Sequence, residues 1–312
     1  MVLRINGLLA GAVLCATATT ASAGLVFDIT YSAAVQGNAN FAAIQTAVNF
    51  VKNEFSSLYS DNVTLRYTID QQAGVLGQSL FSNAYFRGSY ADIKLALTND
   101  SKTADDAIAV ANLAAAAPFG AGANDWYAPS SQAKALGLLA ANNAASDGDY
   151  TFGSDAGLFD YDRSDGIAAG TYDFIGTTEH EFSELMGRVS QRNAFGYTAF
   201  DAFRYTAPGV HNASESDCGV YYSINNGATN QKGYNCVAGA DRQDWDSSVP
   251  SDPYNAFGSP GVVNSMSAVD KQVMDVIGWD RAGAQAVPEP STVLLVVLGG
   301  GLLWLQRRNK SA

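Results

Sequence analysis

Histidine and cysteine are scarce in this chain of 312 residues. Its 2 histidines, His180 and His211, exclude a zinc site built from three histidines of one molecule. Of its 3 cysteines, the two that lie outside the first 23 residues are too few for a zinc knuckle, and without C-x-x-C spacing they do not form a dithiol redox motif. Cys15 lies in a segment that we expect to be removed. Cys218 and Cys236 remain, and an even pair in an oxidising compartment is predicted to form a disulfide.

Basic residues are also few, because 18 Lys and Arg stand against 30 Asp and Glu, for a formal net charge of −12. Several of the basic residues lie in the two terminal segments, so the body between them is more acidic still. An acidic surface repels a phosphate backbone, and nucleic acid is therefore not an expected partner. We find no internal repeat and no long linker, which predicts one domain over residues 24–286.

The first 23 residues have the pattern of a secretory signal peptide. Arg4 supplies the positive start, residues 7–15 are apolar, and residues 21–23 read Ala-Ser-Ala, a small-residue cleavage site. A short membrane anchor is the alternative, but the apolar run is short and is followed by small and polar residues. We therefore predict a signal peptide over 1–23 and export of the mature chain.

The C-terminal segment, residues 287–312, also has three parts. Val-Pro-Glu-Pro at 287–290 precedes an apolar run over 291–305, and basic residues follow. As a helix the run would extend about 22 Å, which is short for a hydrocarbon core of about 30 Å. The segment resembles the PEP-CTERM sorting signal of exopolysaccharide-producing Gram-negative bacteria. That resemblance implies transient retention in the inner membrane, removal by an exosortase, and delivery to the cell surface or matrix; an ordinary anchor is the alternative.

Hydrophobic periodicity predicts an α/β (α+β) domain. Alternating β-rich segments at 25–31 and 63–69 flank a helix whose apolar residues between 41 and 58 recur at three and four. This order favours a parallel strand–helix–strand opening. Two helices are predicted at 105–116 and 131–144. The Asp- and Gly-rich stretch that follows predicts loops with a short strand near Tyr150.

The candidate functional segment, residues 177–188, reads Thr-Thr-Glu-His-Glu-Phe-Ser-Glu-Leu-Met-Gly-Arg. An apolar stripe predicts a helix over 172–190, so His180 and Glu184 share one face and are candidate ligands of one metal ion. Glu181 lies between them. Imidazole and carboxylate groups are costly to bury alone, and a cation would satisfy all three together. A polar helix face without function is the alternative.

The segment resembles the metalloprotease motif H-E-x-x-H, with Glu184 at the position of the second histidine. Gly187 matches the turn glycine of the extended metzincin motif, Met266 matches its methionine turn, and 270–279 is similar to its closing helix. The chain resembles more narrowly a group of PEP-CTERM-tagged predicted metalloproteases. That resemblance rests also on Phe-Asp-Ala-Phe-Arg-Tyr at 200–205 and on the tracts 221–227 and 243–245.

The resemblance implies a metzincin-like zinc-protease domain with a mixed twisted sheet, a long active-site helix and a peptide or protein substrate. Glu181 would then act as the general base. Ser190 holds the third metzincin ligand position and is a poor zinc ligand, so the third ligand must come from elsewhere. Asp201 is the first candidate, because it completes a His-Glu-Asp set; a pair with Arg204 or a helix cap is the alternative.

Other parts of this site remain open from the sequence. His211 is the second candidate for the third ligand. Tyr205 or Arg204 is a candidate donor to the oxyanion. Zn²⁺ is the first expected metal, with Mn²⁺ or Fe²⁺ possible because two carboxylates make a harder site. The competing function is a non-catalytic matrix or adhesion protein on a degenerate fold, and a glycosidase has carboxylates but no motif.

Overall fold

The computed structural model describes residues 24–120, 125–190, 192, 196–212 and 214–283. The predicted signal peptide at 1–23 and the predicted sorting segment at 287–312 lie outside these residues. Among the described residues, no helix is both long enough and apolar enough to cross a membrane.

The described chain is a mixed α+β protein. Its helices are α1 Ala33–Gln36, α2 Phe41–Leu58, α3 Tyr90–Asp100, α4 Ala104–Asn112, α5 Ser130–Ala135, α6 Phe174–Leu185 and α7 Ala268–Val276. Its strands are β1 Val26–Tyr31, β2 Thr64–Gln72, β3 Gly77–Phe81, β4 Tyr85–Gly88, β5 Trp126–Pro129, β6 Gly148–Gly153, β7 Phe159–Asp160, β8 Tyr172–Asp173, β9 Arg204–Ala207, β10 Val210–His211, β11 Tyr221–Tyr222 and β12 Lys232–Gly233.

The main sheet has the strand order β1-β2-β6-β3. Strands β1, β2 and β6 are parallel, whereas β3 runs antiparallel to β6 at one end of the sheet. Helix α2 connects β1 to β2 and buries apolar side chains at helical spacing, Ile44, Val48, Val51 and Phe55. The predicted parallel opening is therefore confirmed, because the alternation of period 2 and period 3.6 was strong in these segments.

Helix α6 packs on this sheet through Phe182, which is fully buried. Its ring centroid lies 5.6 Å from that of Phe27, 5.2 Å from that of Tyr67 and 6.0 Å from that of Tyr150. Aromatic pairs of this kind contribute about 0.5–1.5 kcal/mol each beyond their area burial. The packing fixes the rotation of α6 about its axis, and this rotation decides where its polar residues point.

A second, smaller sheet has the order β10-β9-β11-β12 and packs on a buried aromatic cluster around Trp245. The rings of Tyr222 and Tyr234 lie 6.1 and 5.1 Å from that of Trp245. Cys218 and Cys236 are bonded, with Cα atoms 5.3 Å apart. The predicted disulfide pairing is thus confirmed, and it closes the segment that leads into Trp245.

Three helix ends differ from the predictions, and the first of these helices, predicted over 105–116, ends at Asn112. The helix predicted over 131–144 is wrong beyond Ala135, because Gly137 takes a φ of 67° that ends the helical turn. The active-site helix was predicted to reach residue 190 but ends at Leu185, and Gly187 follows with a φ of 110°. A side chain at Gly187 would also meet Gln132, so both space and backbone require glycine there.

Candidate metal centre

Helix α6 begins at a buried aspartate. Oδ1 of Asp173 accepts a hydrogen bond from the backbone N–H of Ile175 at 3.0 Å, which is an N-cap. Oδ2 accepts the backbone N–H of Asn264 at 2.9 Å and lies 3.2 Å from the guanidinium of Arg163. This helix start is therefore tied to two distant segments, and the positions of the next turns are well defined.

One turn later, His180 and Glu184 lie on the same face of α6, as predicted. The structure adds Asp244 to them: Nε2 of His180 is 3.5 Å from Oε1 of Glu184 and 3.5 Å from Oδ1 of Asp244. Two ligand atoms bonded to one tetrahedral zinc ion are separated by about 3.3–3.6 Å. Both distances from Nε2 match this spacing, the three ligand atoms lie within 4.8 Å of one another, and the side chains have the donor chemistry of a metal site.

The other nitrogen of His180 is held by the main chain. Nδ1 lies 2.7 Å from the carbonyl oxygen of Pro253. A carbonyl oxygen only accepts, so Nδ1 carries a proton and donates it. This contact points Nε2 at the two carboxylates, in the arrangement by which proteins orient metal-binding histidines.

Nε2 can face two carboxylates only if a positive charge lies between them. Burial by itself lowers the pKa of His180, but the carboxylates of Asp244 and Glu184 outweigh burial and raise the pKa to about 10. A second proton on the imidazole and a metal cation are therefore the two ways to satisfy this geometry.

Neighbouring donors hold the carboxylate of Glu184. Oε2 accepts a hydrogen bond from the Ser79 hydroxyl at 2.6 Å, and Oε1 accepts one from the Gln243 amide at 3.0 Å. Burial raises the pKa of Glu184, but His180, Arg188 and Ser79 together lower it to about 2. Glu184 is therefore ionised across the physiological range.

Arg188 lies behind the site and is fully buried. Its Nη1 donates to Oδ1 of Asp244 at 2.8 Å, and its Nη2 lies 3.8 Å from Oε1 of Glu184. Nε donates to the Ser183 hydroxyl at 2.8 Å, and the ring of Tyr254 lies 4.4 Å from the guanidinium. Arg188 thus adds a fixed positive charge to a group that contains two carboxylates.

Glu181 lies beside the three candidate ligands and lines a cleft of about 260 Å³. Its Oε2 is buried and has no hydrogen-bond partner among the residues that the structure describes. Burial raises the pKa of Glu181 well above its usual range, and Glu184 adds to that rise, whereas His180 lowers it. A side chain at Gly77, the first residue of β3, would clash with the carboxyl group, so this glycine makes room for Glu181.

Asp201 is not the third member of the group, and the prediction is corrected to Asp244. Oδ1 of Asp201 accepts from the Ser190 hydroxyl and from Nε of Arg192, both at 2.7 Å. Oδ2 accepts the backbone N–H of Thr198 at 2.8 Å. Both oxygens are engaged in a buried ion pair and a local turn, and the partner in the ion pair is Arg192, whereas the sequence suggested Arg204.

Tyr205 and His211 also lie elsewhere. They stack on each other in the second sheet, with ring centroids 4.3 Å apart, and neither lines the cleft. Arg204 places its guanidinium over the ring of Tyr234 at 4.0 Å and donates to the carbonyl oxygen of Arg242. The oxyanion role predicted for Tyr205 or Arg204 is therefore not supported by their positions, nor is His211 a third ligand.

Met266, the expected methionine turn, is buried and accepts a hydrogen bond from the Tyr254 hydroxyl at 3.3 Å. It contacts Tyr254, whose ring in turn lies against the Arg188 guanidinium. Asp244 itself belongs to the Gln-Asp-Trp tract that contributed to the family resemblance. The tryptophan that follows Asp244 is buried, but no ligand spacing in the sequence links Asp244 to His180 or Glu184.

Comparison of the chain with protein-family models, with curated proteins and with solved structures found no match. The function must therefore be argued from the geometry of this site.

Proposed function

We propose that this chain is an exported metal-dependent endopeptidase in which His180, Glu184 and Asp244 bind a divalent cation. The observation that carries the proposal is the position of Nε2 of His180, 3.5 Å from an oxygen of each carboxylate. The orientation of His180 by the Pro253 carbonyl supports it. Zn²⁺ is the first candidate, and the two carboxylates also suit Mn²⁺ or Fe²⁺.

Charge balance supports the same ligand set. Two carboxylates, a neutral imidazole and the Arg188 guanidinium carry a net charge of −1, so a divalent cation leaves the site at +1. A site of two histidines and one glutamate reaches the same total. The positive charge of Arg188 thereby compensates for the negative charge of Glu184, which stands where the H-E-x-x-H motif has a neutral histidine.

A divalent cation at this site would supply Lewis acidity and lower the pKa of water. Glu181 would accept the proton of the attacking water and return it to the leaving amine. Its buried Oε2 has no described partner and is the atom available for that proton. A positive charge beside Glu181 would lower its pKa and keep the base ionised.

The cleft supports a peptide as substrate. Leu76 and Gly77 line it, and Gly77 is the first residue of β3, an edge strand of the main sheet as described. An extended peptide can pair with such an edge through main-chain hydrogen bonds, largely independent of its sequence.

Under this proposal the fold is metzincin-like, with the mixed sheet and α6 in the corresponding roles. Exosortase, the inner membrane and an exopolysaccharide matrix are then proposed partners during export to the surface.

A second function is favoured by the pKa of His180, which the carboxylates of Asp244 and Glu184 raise to about 10. If His180 is doubly protonated, then two cations, His180 and Arg188, balance two anions, Glu184 and Asp244, without any metal. Such a closed buried cluster would suit a non-catalytic matrix or adhesion protein. The two functions differ first in metal content.

Elemental analysis of the purified protein after zinc loading and dialysis tests the proposal. We expect about one equivalent of zinc in the wild type, with loss in His180→Ala and in Asp244→Asn. Asp241→Asn is the matched control, because it removes a carboxylate from the same segment and should keep the metal. Absence of bound zinc, manganese and iron in the folded wild type would instead favour the closed ion cluster.

A further inference from the structure

The acidic side chains that line the cleft are not equivalent. Asp244 pairs with Arg188, and Asp252 contacts Lys232, so each has a cationic partner behind it. Asp241 has no ion-pair partner among the described residues. No lysine or arginine appears among the described residues that line the cleft. Asp241 therefore contributes a negative charge that no direct ion pair offsets among the described residues.

The backbone at Asp241 is held in place although its side chain is exposed. The side-chain amide of the buried Asn235 donates to the carbonyl oxygen of Asp241 at 3.0 Å, and its Oδ1 accepts the backbone N–H of Val237 at 2.9 Å. The next residue, Cys236, is bonded to Cys218. This loop is closed by three contacts, so the backbone that carries the Asp241 side chain is held beside the cleft.

The cleft also offers apolar surface beside this charge. Phe257 lines it and is 47% exposed, and Leu76 and Ala256 also line it. A lysine or arginine side chain combines an apolar stem with a cationic head. Its stem can pack on such a wall while its head reaches a carboxylate, and an aromatic face attracts the cation as well.

We propose that the cleft binds a peptide through a lysine or arginine side chain whose counter-ion is Asp241. The substrate class is therefore a peptide with a basic residue close to the bond that is cut. This inference rests on the proposed peptidase function, and it adds a specificity that the metal centre alone does not supply. Asp241 acts as a specificity-determining residue and takes no part in the chemistry.

Matched peptides test the inference. The fluorogenic peptides are identical except at one position, which carries lysine, glutamine or glutamate. This position is moved in turn to each site around the cleaved bond. With the zinc-loaded protein we expect a kcat/KM about fivefold or more higher for lysine than for glutamine at one position, and lowest for glutamate. The preference should shrink as ionic strength rises, because the charges lie near solvent.

Variants assign the preference to Asp241. Asp241→Asn should lower the ratio of kcat/KM for the lysine peptide to that for the glutamine peptide to about one, and Asp241→Lys should favour glutamate. Asp165→Asn, which neutralises an exposed aspartate outside the cleft lining, is the control and should keep the lysine preference. Equal kcat/KM for all peptides, or a preference that survives Asp241→Asn, would overturn the inference.

Failure of the peptidase function is separable from failure of this specificity. Binding of the same peptides to zinc-loaded Glu181→Gln is measured directly by fluorescence anisotropy. Lysine-selective binding without turnover by the wild type would refute the peptidase function and leave the basic-residue site standing. Turnover without selectivity in either binding or kcat/KM would refute the site alone.

Discussion

Nδ1 of His180 lies 2.7 Å from the carbonyl oxygen of Pro253, and this contact fixes which nitrogen faces Glu184 and Asp244. The protonation of Nε2 then distinguishes a metal-free from a metal-bound site. In the metal-free protein the pKa of His180 is raised to about 10, so both nitrogens should carry protons at pH 8. Zinc should displace the Nε2 proton and leave that on Nδ1.

Nitrogen-15 NMR of the histidine rings checks this prediction. At pH 8 we expect imidazolium shifts for His180 before zinc is added and shifts of a neutral Nδ1–H ring after one equivalent. His211 is an internal control, because burial lowers its pKa and it should be neutral in both samples. A neutral His180 in the metal-free protein, or no change with zinc, would contradict the assignment.

The sequence could predict what local periodicity encodes. The opening strands, α2 and α6 follow from apolar spacing, and the four-residue spacing placed His180 and Glu184 on one face. Asp244 could not be found in this way, because tertiary contacts with His180 and Arg188 bring it to the site. Asp201 was chosen for its neighbours in sequence, yet Arg192 and a turn amide use its oxygens. The alanine-rich stretch after Ala135 shows the same limit of local sequence signals. Its helix propensity is high, but the chain turns at Gly137 and the helix ends.

Substitution of Glu181 by glutamine tests its role in catalysis. The amide keeps the shape of the side chain but cannot accept a proton from water, so we expect kcat to fall by about 10²–10⁴. Zinc content should stay near that of the wild type, because Glu181 is not among the three candidate ligands. Glu215→Gln removes a carboxylate outside the cleft and serves as the control. Full activity of Glu181→Gln would eliminate it as the general base.

Replacement of Arg188 by methionine should strongly destabilise the metal-free protein. The guanidinium is fully buried against Asp244, and its removal leaves that carboxylate without its charge partner. Loss of one partner of a buried pair costs about 3–5 kcal/mol. Urea denaturation monitored by tryptophan fluorescence gives the free energy of unfolding.

The control for Arg188 is Arg66→Met. Arg66 pairs at 3.5 Å with Asp28, whose side chain is 61% exposed, and surface pairs contribute about 0–1 kcal/mol. Zinc should stabilise Arg188→Met more than the wild type, because the cation replaces the lost positive charge. Equal losses in the two arginine variants would mean that the Arg188 pair adds little to stability.

A cluster of carboxylates outside the candidate metal centre, formed by Asp61, Asp100 and Asp280, should make the stability of the protein depend on pH. Burial, and then the charge of Asp280, raise the pKa of Asp61 to about 7 and that of Asp100 to about 8. Lys102, which contacts Asp280 and lies 3.8 Å from Asp100, opposes this rise only in part. Both folded-state values exceed the value of about 3.9 for an unfolded aspartate. Ionisation therefore opposes folding, and the stabilisation present below about pH 4 is lost as the pH rises through 7 and 8.

Asp100→Asn isolates this effect. The amide cannot ionise. The free energy of unfolding of the variant minus that of the wild type should therefore be more than about 1 kcal/mol larger at pH 9 than at pH 4. Thermal or urea unfolding of the metal-free protein at both pH values measures the difference. Asp165→Asn, an exposed aspartate outside this cluster, provides the control for the loss of one negative charge. A stability difference between Asp100→Asn and the wild type that is the same at both pH values would mean that Asp100 does not titrate between them.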